Sequence, residues 1–261
     1  MNSDPVDRSI PRLTFRNLSG IPGLAHAVFT RQGGVSKPPY DSLNTSWSNG
    51  DSPEAVQENL ARIKEAVGLE WLVSGHQFHG DTLNFISRES VRDLHRRAPL
   101  LITPAADALA TNLPGLGLVI KIADCQSILL ADPHSRIIAN IHSGWRGSVL
   151  NIAGKTVRHL QERFGLDPAQ TLAAVSPSLG PCCAEFVNYR KEIPESLWPY
   201  QVRPDHFDFW AMTKEQLTSA GIRESNIEFA EKCTVCGKAD FFSYRGARGS
   251  TGRMATVIGW E

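Results

Sequence analysis

The stretch LGLVIKIADCQSILLADPHSRIIANIHSGWRG, residues 116–147, contains both the clearest folding pattern and the most informative candidate site residues. Three apolar runs in it have the length of buried strands: 116–122, 126–131 and 136–141. The Asp-Pro-His-Ser sequence at 132–135 is typical of a turn. We therefore predict that the second and third runs form an antiparallel hairpin.

The predicted hairpin brings a cysteine and a histidine together. If its turn is centred between Pro133 and His134, then Cys125 and His142 lie equally far from the centre and face each other. Directly opposite residues have Cβ atoms roughly 4.5–5.5 Å apart. We expect this pair to share a metal ion or to form a thiolate–imidazole pair.

The segment SGHQFHG, residues 74–80, offers a third metal ligand. It follows a strand-like run, and strand alternation would place Gln77 and His79 on one face. Two imidazoles and one thiolate leave a fourth coordination position open, as in catalytic zinc sites. From the residues alone, His79 is a candidate third ligand beside Cys125 and His142, in a segment that also contains His76.

Length and composition favour a single globular domain. The chain has 261 residues, 41% hydrophobic and 21% charged, which predicts a packed core and one domain spanning residues 1–261. Basic and acidic residues both total 27, so the formal net charge is zero. We expect no nucleic acid or membrane partner, since no global field attracts either; the sequence indicates no protein partner.

The lack of a recognisable secretory signal and the small, odd number of cysteines predict a cytoplasmic protein. The opening MNSDPVDRSIPRLTF, residues 1–15, carries acidic residues and prolines where a secretory signal needs a basic end and an apolar run. No apolar stretch is long enough to span a bilayer. Five cysteines, few and odd in number, suit reduced thiols better than a disulfide framework.

Helix and strand signals alternate irregularly along the rest of the chain. One helix is bounded by Ser52 as N-cap, Pro53 at the first position and Gly68 after its end. Further helices are predicted at 148–164 and 208–220, and further strands at 25–29, 172–175, 227–230 and 255–258. This pattern is neither strictly alternating βαβ nor all-β, so we predict an α+β fold with mixed sheets.

Four further cysteines and several arginines are candidates for function. Cys182 and Cys183 are adjacent, and Cys233 and Cys236 form a CxxC. A second zinc held by all four is conceivable, but buried thiols in turns are the favoured interpretation, because free cysteine is usually buried. Four arginines lie in glycine-rich segments, where they could bind an oxyanion such as phosphate: Arg31, Arg146, Arg245 and Arg253.

Ordered motifs along nearly the whole chain resemble the laccase-domain family, also called YfiH-like. They are FTRQGGVSKPPYDSLN (29–44), GDSPEAVQEN (50–59), HQFHG (76–80), ADALATNLPGLGLVIKIADCQSILLADP (106–133), IHSGWRG (141–147), SPSLGPCC (176–183) and CTVCGKADFFSYRGARGSTGR (233–253). The chain departs from the family's pattern at Ser143, where alanine is usual, and at 246–248. The resemblance implies a single domain of layered mixed β-sheets flanked by helices, similar to cysteine hydrolases.

The resemblance also implies a metal site and an activity. The family's metal-binding His, Cys and His fall on His79, Cys125 and His142. The family was formerly labelled multicopper polyphenol oxidases and is now regarded as zinc-dependent. Its implied reaction is phosphorolysis of adenosine, inosine, guanosine and 5′-methylthioadenosine, with adenosine deamination as a second activity.

Roles for individual residues follow as hypotheses. Arg31 is the candidate phosphate clamp and Arg146 its rival. Asp124 is the candidate general acid or base. Ser36 and Asn44, in the long polar segment at 31–44, and Gln77 are candidate contacts to ribose or phosphate.

Three other functions stay open. Cys125 and His142 would also suit a cysteine hydrolase, for example an amidase acting on cell-wall precursors. A copper-dependent polyphenol oxidase is less expected, because laccase chemistry uses several coppers and only eight scattered histidines are present. A non-catalytic zinc-binding interaction protein is the third alternative, and the open coordination position argues against it.

Overall fold

Two mixed β-sheets form the framework of the structure, a computed structural model that describes residues 10–261. The strands are β1 Arg12–Leu13, β2 Leu24–Phe29, β3 Trp71–Ser74, β4 Leu83–Ile86, β5 His95–Arg97, β6 Leu100–Ile102, β7 Ala108–Thr111, β8 Leu116–Ile122, β9 Gln126–Asp132, β10 Ile137–Ser143, β11 Leu172–Val175, β12 Gln201–Arg203, β13 His206–Phe207, β14 Ile227–Phe229 and β15 Met254–Trp260. The helices are α1 Arg16–Ser19, α2 Pro53–Val67, α3 Trp145–Val149, α4 Ile152–Phe164, α5 Tyr189–Glu192 and α6 Phe209–Ser219, with short 3-10 helices at Ser90–Asp93, Glu195–Tyr200 and Glu224–Asn226.

Both large sheets mix parallel and antiparallel neighbours. The first has the strand order β1-β2-β15-β8-β3-β6-β5, and the second has the order β14-β11-β9-β10-β7-β4. In the first sheet β3 is parallel to β6 and β8; in the second, β4 is parallel to β7 and β11 is parallel to β14. The predicted α+β class with layered mixed sheets is confirmed.

The layers explain why the central strands read as continuous apolar runs. One core cluster contains Leu118 of β8 and Leu129 of β9, which belong to different sheets, so it lies between the two sheets. The alternate residue Val119 packs with α2 on the outer side of the first sheet. Leu130 packs with residues of α4 and α6 outside the second sheet. Strands covered on both faces are apolar at consecutive positions instead of alternating.

Several predicted elements are confirmed. Helix α2 begins after Ser52, whose side chain accepts from the Ala55 N–H, and ends at Gly68 with φ 69°. The three apolar runs of 116–141 are β8, β9 and β10, and the strand expected at 25–29 is β2. Strands also occur at the other predicted positions, and helix α6 matches the expected 208–220.

The predicted helix at 148–164 is wrong at its start. Asn151 adopts a left-handed conformation with φ 56°, and its side chain accepts from the Gly154 N–H. Helix α4 therefore begins at Ile152, and the preceding residues belong to the short α3. Asparagine tolerates the left-handed conformation and is a good N-cap. Asn151 therefore separates α3 from α4 and caps the start of α4.

The predicted hairpin exists, but its register is wrong. Ile137 pairs with Asp132, so the turn is centred between His134 and Ser135. The Asp132 carboxylate accepts from the His134 N–H at 2.9 Å and from Ser135 Oγ at 2.6 Å. These two bonds stabilise a four-residue loop, one residue further along than the sequence pattern suggested.

No helix within residues 10–261 has the length and hydropathy required to cross a membrane. The prediction that residues 1–15 contain no secretory signal concerns a stretch that lies largely outside the described residues, which begin at Ile10.

A buried polar network joins the two sheets at their centre. Asn140 Nδ2 donates to the carbonyl oxygens of Leu118 at 2.9 Å and Thr256 at 3.1 Å. Ser127 Oγ donates to Asn140 Oδ1 at 2.6 Å. Because every polar group in this network has a partner, it fixes the relative positions of β8, β9, β10 and β15.

We predict that Asn140→Ala lowers the free energy of unfolding by about 1–3 kcal/mol, because it leaves buried acceptors and a donor unpaired. Chemical denaturation measures this value. Asn112→Ala, which removes an exposed side chain, is the control and should change stability by less than about 0.5 kcal/mol. Equal effects of the two substitutions would contradict the assigned role of the network.

Candidate active site

Three separate segments bring the predicted metal ligands together. Cys125 lies in the short loop between β8 and β9, His142 lies in β10, and His79 lies in the irregular segment after β3. Their ligand atoms all lie within 4.8 Å of one another. Cys125 Sγ is 3.9 Å from His79 Nε2, and the two imidazole centroids are 4.9 Å apart.

The cysteine and the histidine meet by a different route from the predicted one. His142 pairs with Ser127, so Cys125 lies one residue before the start of β9 and not opposite His142. At Gly144 an added Cβ would lie 2.9 Å from Cys125 Sγ and 3.0 Å from His79 Cδ2. The absence of a side chain at Gly144 lets the thiol and the His79 imidazole approach each other.

The prediction that Gln77 and His79 share a strand face is also wrong. Strand β3 ends at Ser74, and His79 has φ 63°. Gln77 nevertheless lines the same cavity as His79. Its side-chain amide donates to the Lys121 carbonyl at 2.8 Å and accepts from the Lys121 N–H at 2.9 Å. These bonds attach the irregular segment to the end of β8.

A buried carboxylate organises the ligands. Asp107 accepts from the backbone N–H groups of Phe78, His79 and Gly80 at 2.8–3.2 Å. Its Oδ1 also lies 2.8 Å from His142 Nδ1. This contact holds the imidazole in one orientation and leaves Nε2 as the ring nitrogen for a metal.

The electrostatics of the triad favour charged forms. Burial opposes ionisation of the Cys125 thiol, but the charge of His142 and hydrogen bonds from His142 and His79 lower its pKa. Burial likewise opposes protonation of His142, yet the Cys125 thiolate and the Asp107 carboxylate raise its pKa. In the metal-free protein the pair therefore favours a thiolate facing an imidazolium.

The donor set fits a zinc ion. Zinc binds thiolate and imidazole ligands, and three protein ligands with a fourth position open are typical of its catalytic sites. A carboxylate that accepts from the distal nitrogen of a ligating histidine, as Asp107 does from His142, is a common companion of such ligands. The structure therefore supports a metal centre, with thiolate and imidazole donors that zinc shares with other metals.

The triad lies in a cavity of about 880 Å³ whose lining combines cations and aromatic rings with the acidic residues Asp124, Glu185 and Glu192. The cations that line it are Lys121, Arg146, Arg245 and Arg253, and the aromatic side chains are Trp145, Phe186, Phe209 and Tyr244. A volume in this range suits a ligand of nucleoside size. The cavity can therefore hold a flat apolar group and an anion together.

The cations in the cavity differ in their surroundings. Arg146 is exposed, and its guanidinium carbon lies 5.1 Å from the centroid of the Trp145 ring. Arg245 donates to backbone carbonyls of Cys183 and Glu185. Burial, with a smaller contribution from the charge of Arg97, lowers the pKa of Lys121 to about 8. Within residues 10–261 neither Arg146 nor Arg253 forms an ion pair with an acidic side chain.

Asp124 lines the cavity, but both of its carboxylate oxygens already accept hydrogen bonds. Thr234 Oγ1 donates to Oδ1 at 2.6 Å, and the Arg245 N–H donates to Oδ2 at 2.7 Å. Asp124 has φ 88°. This arrangement favours a positioning role next to Cys125, while the predicted role in acid–base catalysis stays a prediction.

Three predicted substrate contacts do not line the cavity. Arg31 uses its guanidinium to bind the Asp41 carbonyl and carboxylate and the Lys238 carbonyl. Ser36 and Asn44 are buried, and both donate to the Asp51 carboxylate. These bonds give the three residues a structural role in the 31–51 region, and their role as substrate contacts stays a prediction.

Asn44 still acts on the cavity indirectly. Its Oδ1 accepts from the Arg253 N–H at 2.8 Å, and Arg253 is one of the cations that line the cavity.

Asp107 and Lys121 belong to the site but are not among the residues predicted from the sequence. Each is a charged residue within or beside an apolar strand, in Ala-Asp-Ala-Leu at 106–109 and in Val-Ile-Lys-Ile at 119–122. A charge in such a run is seldom buried without a partner, and this signal would have identified both residues.

The fold and the triad define a class of protein, an α+β protein with a candidate catalytic metal centre. The chain belongs to the family described as multi-copper polyphenol oxidoreductase laccase, which matches residues 25–261. The chain is 35% identical over 254 residues to the purine nucleoside phosphorylase YlmD of Geobacillus stearothermophilus, covering 92% of each chain. It is also 35% identical over 261 residues to a purine nucleoside phosphorylase of Deinococcus radiodurans, covering 96% of this chain and 93% of the other. The crystal structure of YlmD from Geobacillus stearothermophilus matches the fold with a TM-score of 0.82 at 32% identity, covering 92% of this chain and 93% of that one.

We predict that Asp107→Asn weakens zinc binding by about 10- to 100-fold, because it removes the charge that orients His142 and the 78–80 backbone. Competition with a chromophoric chelator measures the affinity, and circular dichroism checks the fold. The control is Asp81→Asn, since Asp81 is an acidic residue of the same segment that pairs with Lys155 and not with the triad. Wild-type affinity in Asp107→Asn would contradict the assigned role.

Proposed function

We propose that this protein is a zinc-dependent purine nucleoside phosphorylase acting on adenosine, inosine, guanosine and 5′-methylthioadenosine, with adenosine deaminase as a second activity. The observation that carries the proposal is the His79–Cys125–His142 triad in a cavity that offers aromatic rings and cations. The two relatives compared, both named purine nucleoside phosphorylase, support the same chemistry.

Phosphorolysis exchanges one bond for another at the ribose. The bond from C1′ to the base nitrogen breaks while a phosphate oxygen bonds to C1′, so the products are the free base and ribose 1-phosphate. The protein must therefore bind a purine and a phosphate on opposite sides of one carbon atom. It must also exclude competing water, which a largely enclosed ribose site achieves.

The cavity residues suit these two tasks. Trp145, Phe186 and Tyr244 present aromatic surface on which a purine can stack. Arg146 and Arg253 are cations without an acidic partner in the described chain, and guanidinium groups bind phosphate through paired hydrogen bonds. We assign the phosphate to these two arginines, in place of Arg31.

Zinc held by His79, Cys125 and His142 would supply Lewis-acid chemistry at the open side of the triad, as deamination at purine C6 requires. The protein's own contribution is to keep the ligands in place. Asp107 orients His142 and the backbone of His79, and Gly144 leaves room for the thiol.

Zinc is favoured over copper by the ligand set. Two groups of side chains within residues 10–261 could hold a metal ion. Of these two groups, the triad alone contains histidine, and it contains two histidines. Electron transfer by several coppers requires more imidazole ligands than that.

We also propose that the chain acts as one catalytic domain, residues 1–261, in the cytoplasm. Its family match extends over residues 25–261, and one core cluster joins the two sheets. All five cysteines are free, and reduced thiols are typical of that compartment.

A product assay tests the proposal. We expect purified, zinc-loaded protein to convert adenosine to adenine and ribose 1-phosphate only when phosphate is present. In the absence of phosphate, the same protein should convert adenosine to inosine. Cys125→Ala should abolish both reactions, because it removes a metal ligand. Chromatography of the products measures the outcome. Absence of turnover by the zinc-loaded wild type would contradict the proposal.

The assignment of phosphate has its own test. Arg146→Ala should raise the phosphate KM about 10-fold or more, since a charge-assisted hydrogen bond contributes about 1.5–3 kcal/mol. Adenosine deamination should be less affected, because it uses no phosphate. Arg88→Ala, at an exposed position outside the cavity, is the matched control. An unchanged phosphate KM in Arg146→Ala would exclude this arginine as the phosphate ligand.

A cysteine hydrolase is the second candidate, and one observation favours it. In the metal-free protein Cys125, His142 and Asp107 form a thiolate, an imidazolium and an orienting carboxylate, the arrangement of a cysteine nucleophile activated by a charged histidine. Amide hydrolysis by chelator-treated protein that stops on alkylation of Cys125 would support it. Such activity, without nucleoside turnover by the zinc-loaded form, would replace the first proposal.

A further inference from the structure

A second group of cysteines lies outside the His–Cys–His triad. The four sulfur atoms of Cys182, Cys183, Cys233 and Cys236 all lie within 4.8 Å of one another. Cys236 Sγ is 3.7 Å from the Sγ atoms of both Cys182 and Cys183. The four cysteines lie in or beside turns, as predicted. Cys182 and Cys236 are exposed, so the prediction that the thiols are buried is wrong.

The sulfur spacing is that of metal ligands. A disulfide joins two sulfurs at about 2.05 Å. A zinc ion binds thiolates at about 2.3 Å, so the sulfurs at the corners of a tetrahedron around it lie about 3.8 Å apart. The separations of Cys236 Sγ from Cys182 Sγ and from Cys183 Sγ, each 3.7 Å, agree with that tetrahedron.

The local backbone explains how adjacent cysteines reach one partner. The N–H groups of Cys183 and Ala184 both donate to the Gly180 carbonyl, at 2.9 and 3.0 Å. The chain is therefore tightly turned at Cys182 and Cys183. This turn lets the side chains of both adjacent cysteines reach Cys236.

The other two cysteines lie on a second tight turn. The Gly237 N–H donates to the Cys233 carbonyl at 2.8 Å, so Cys233 and Cys236 lie within one turn. This Cys-x-x-Cys spacing is frequent in structural zinc sites. At Gly180 a Cβ would lie 3.0 Å from the Cβ of Cys233, which shows how closely the two turns pack.

Backbone hydrogen bonds hold the two turns side by side. The Ser178 N–H donates to the Lys232 carbonyl at 3.1 Å, and the Thr234 N–H donates to the Ser178 carbonyl at 3.0 Å. The four thiols are thus positioned by the fold of the protein and not by chance proximity of flexible side chains.

We propose that these four cysteines form a second zinc site, with four thiolate ligands and a structural role. Four protein ligands complete the tetrahedral coordination of zinc, so this site has no open position for a substrate. Its cation is separate from the one at the triad, and the proposal does not depend on the proposed nucleoside chemistry.

The site would brace the active-site loop. Thr234, between Cys233 and Cys236, donates to the Asp124 carboxylate at 2.6 Å, and the Leu179 N–H donates to the Asp124 carbonyl at 2.8 Å. One zinc ion that joins the two turns would therefore fix both sides of Asp124, the residue before Cys125.

Elemental analysis of variants tests the proposal. Protein produced with zinc and purified under reducing conditions should contain two zinc ions per chain. Cys236→Ser and Cys125→Ser should each contain one, and the double variant none. Zinc content in Cys236→Ser equal to that of the wild type would overturn the proposal, as would a disulfide among the four cysteines in the freshly purified protein.

X-ray absorption of Cys125→Ser identifies the remaining ligands directly. Because this variant keeps all four cysteines of the proposed site, it is informative even if Cys236→Ser does not fold. We expect zinc surrounded by sulfur alone at about 2.3 Å. Nitrogen ligands in that variant, or absence of zinc from it, would overturn the proposal.

Discussion

The arrangement of the metal centre depends on the buried carboxylate of Asp107. A carboxylate removed from water raises the free energy of the folded state unless hydrogen bonds replace its hydration. Asp107 obtains them from three successive N–H groups at 78–80 and from the His142 imidazole. The same bonds that stabilise the buried charge therefore join the irregular His79 segment to β10. The two sheets hold the surrounding strands, and the Asp107 carboxylate fixes the position of His79 relative to His142.

Much of the fold could be predicted because local signals agreed with the final packing. Ser52 and Gly68 bound α2 as their capping preferences indicate, and the apolar runs became central strands covered on both faces. The register of the β9–β10 hairpin could not be predicted, because an apolar run does not reveal where its turn is centred. The Asp132 side chain, which binds His134 and Ser135, decides it.

The candidate site also has some features that the sequence predicts and others that depend on three-dimensional packing. Residue chemistry and family resemblance predict the His79–Cys125–His142 group, and the structure brings its three side chains together. The register argument for Cys125 and His142 is wrong. Arg31 has the chemistry of a phosphate ligand, yet its partners at Asp41 and Lys238 are visible only in three dimensions. The four cysteines near 182 and 236 meet because two backbone turns pack side by side, which the Cys-x-x-Cys spacing alone does not predict.

The most direct test of this account is nitrogen NMR of the histidines in zinc-loaded protein labelled with ¹⁵N in the imidazole rings. The account predicts that His142 carries its proton on Nδ1, which donates to Asp107, and that its Nε2 shows the shift of a metal-bound nitrogen. A proton on Nε2 of His142, or two ring nitrogens of His142 that do not respond to zinc, would contradict the central role of Asp107.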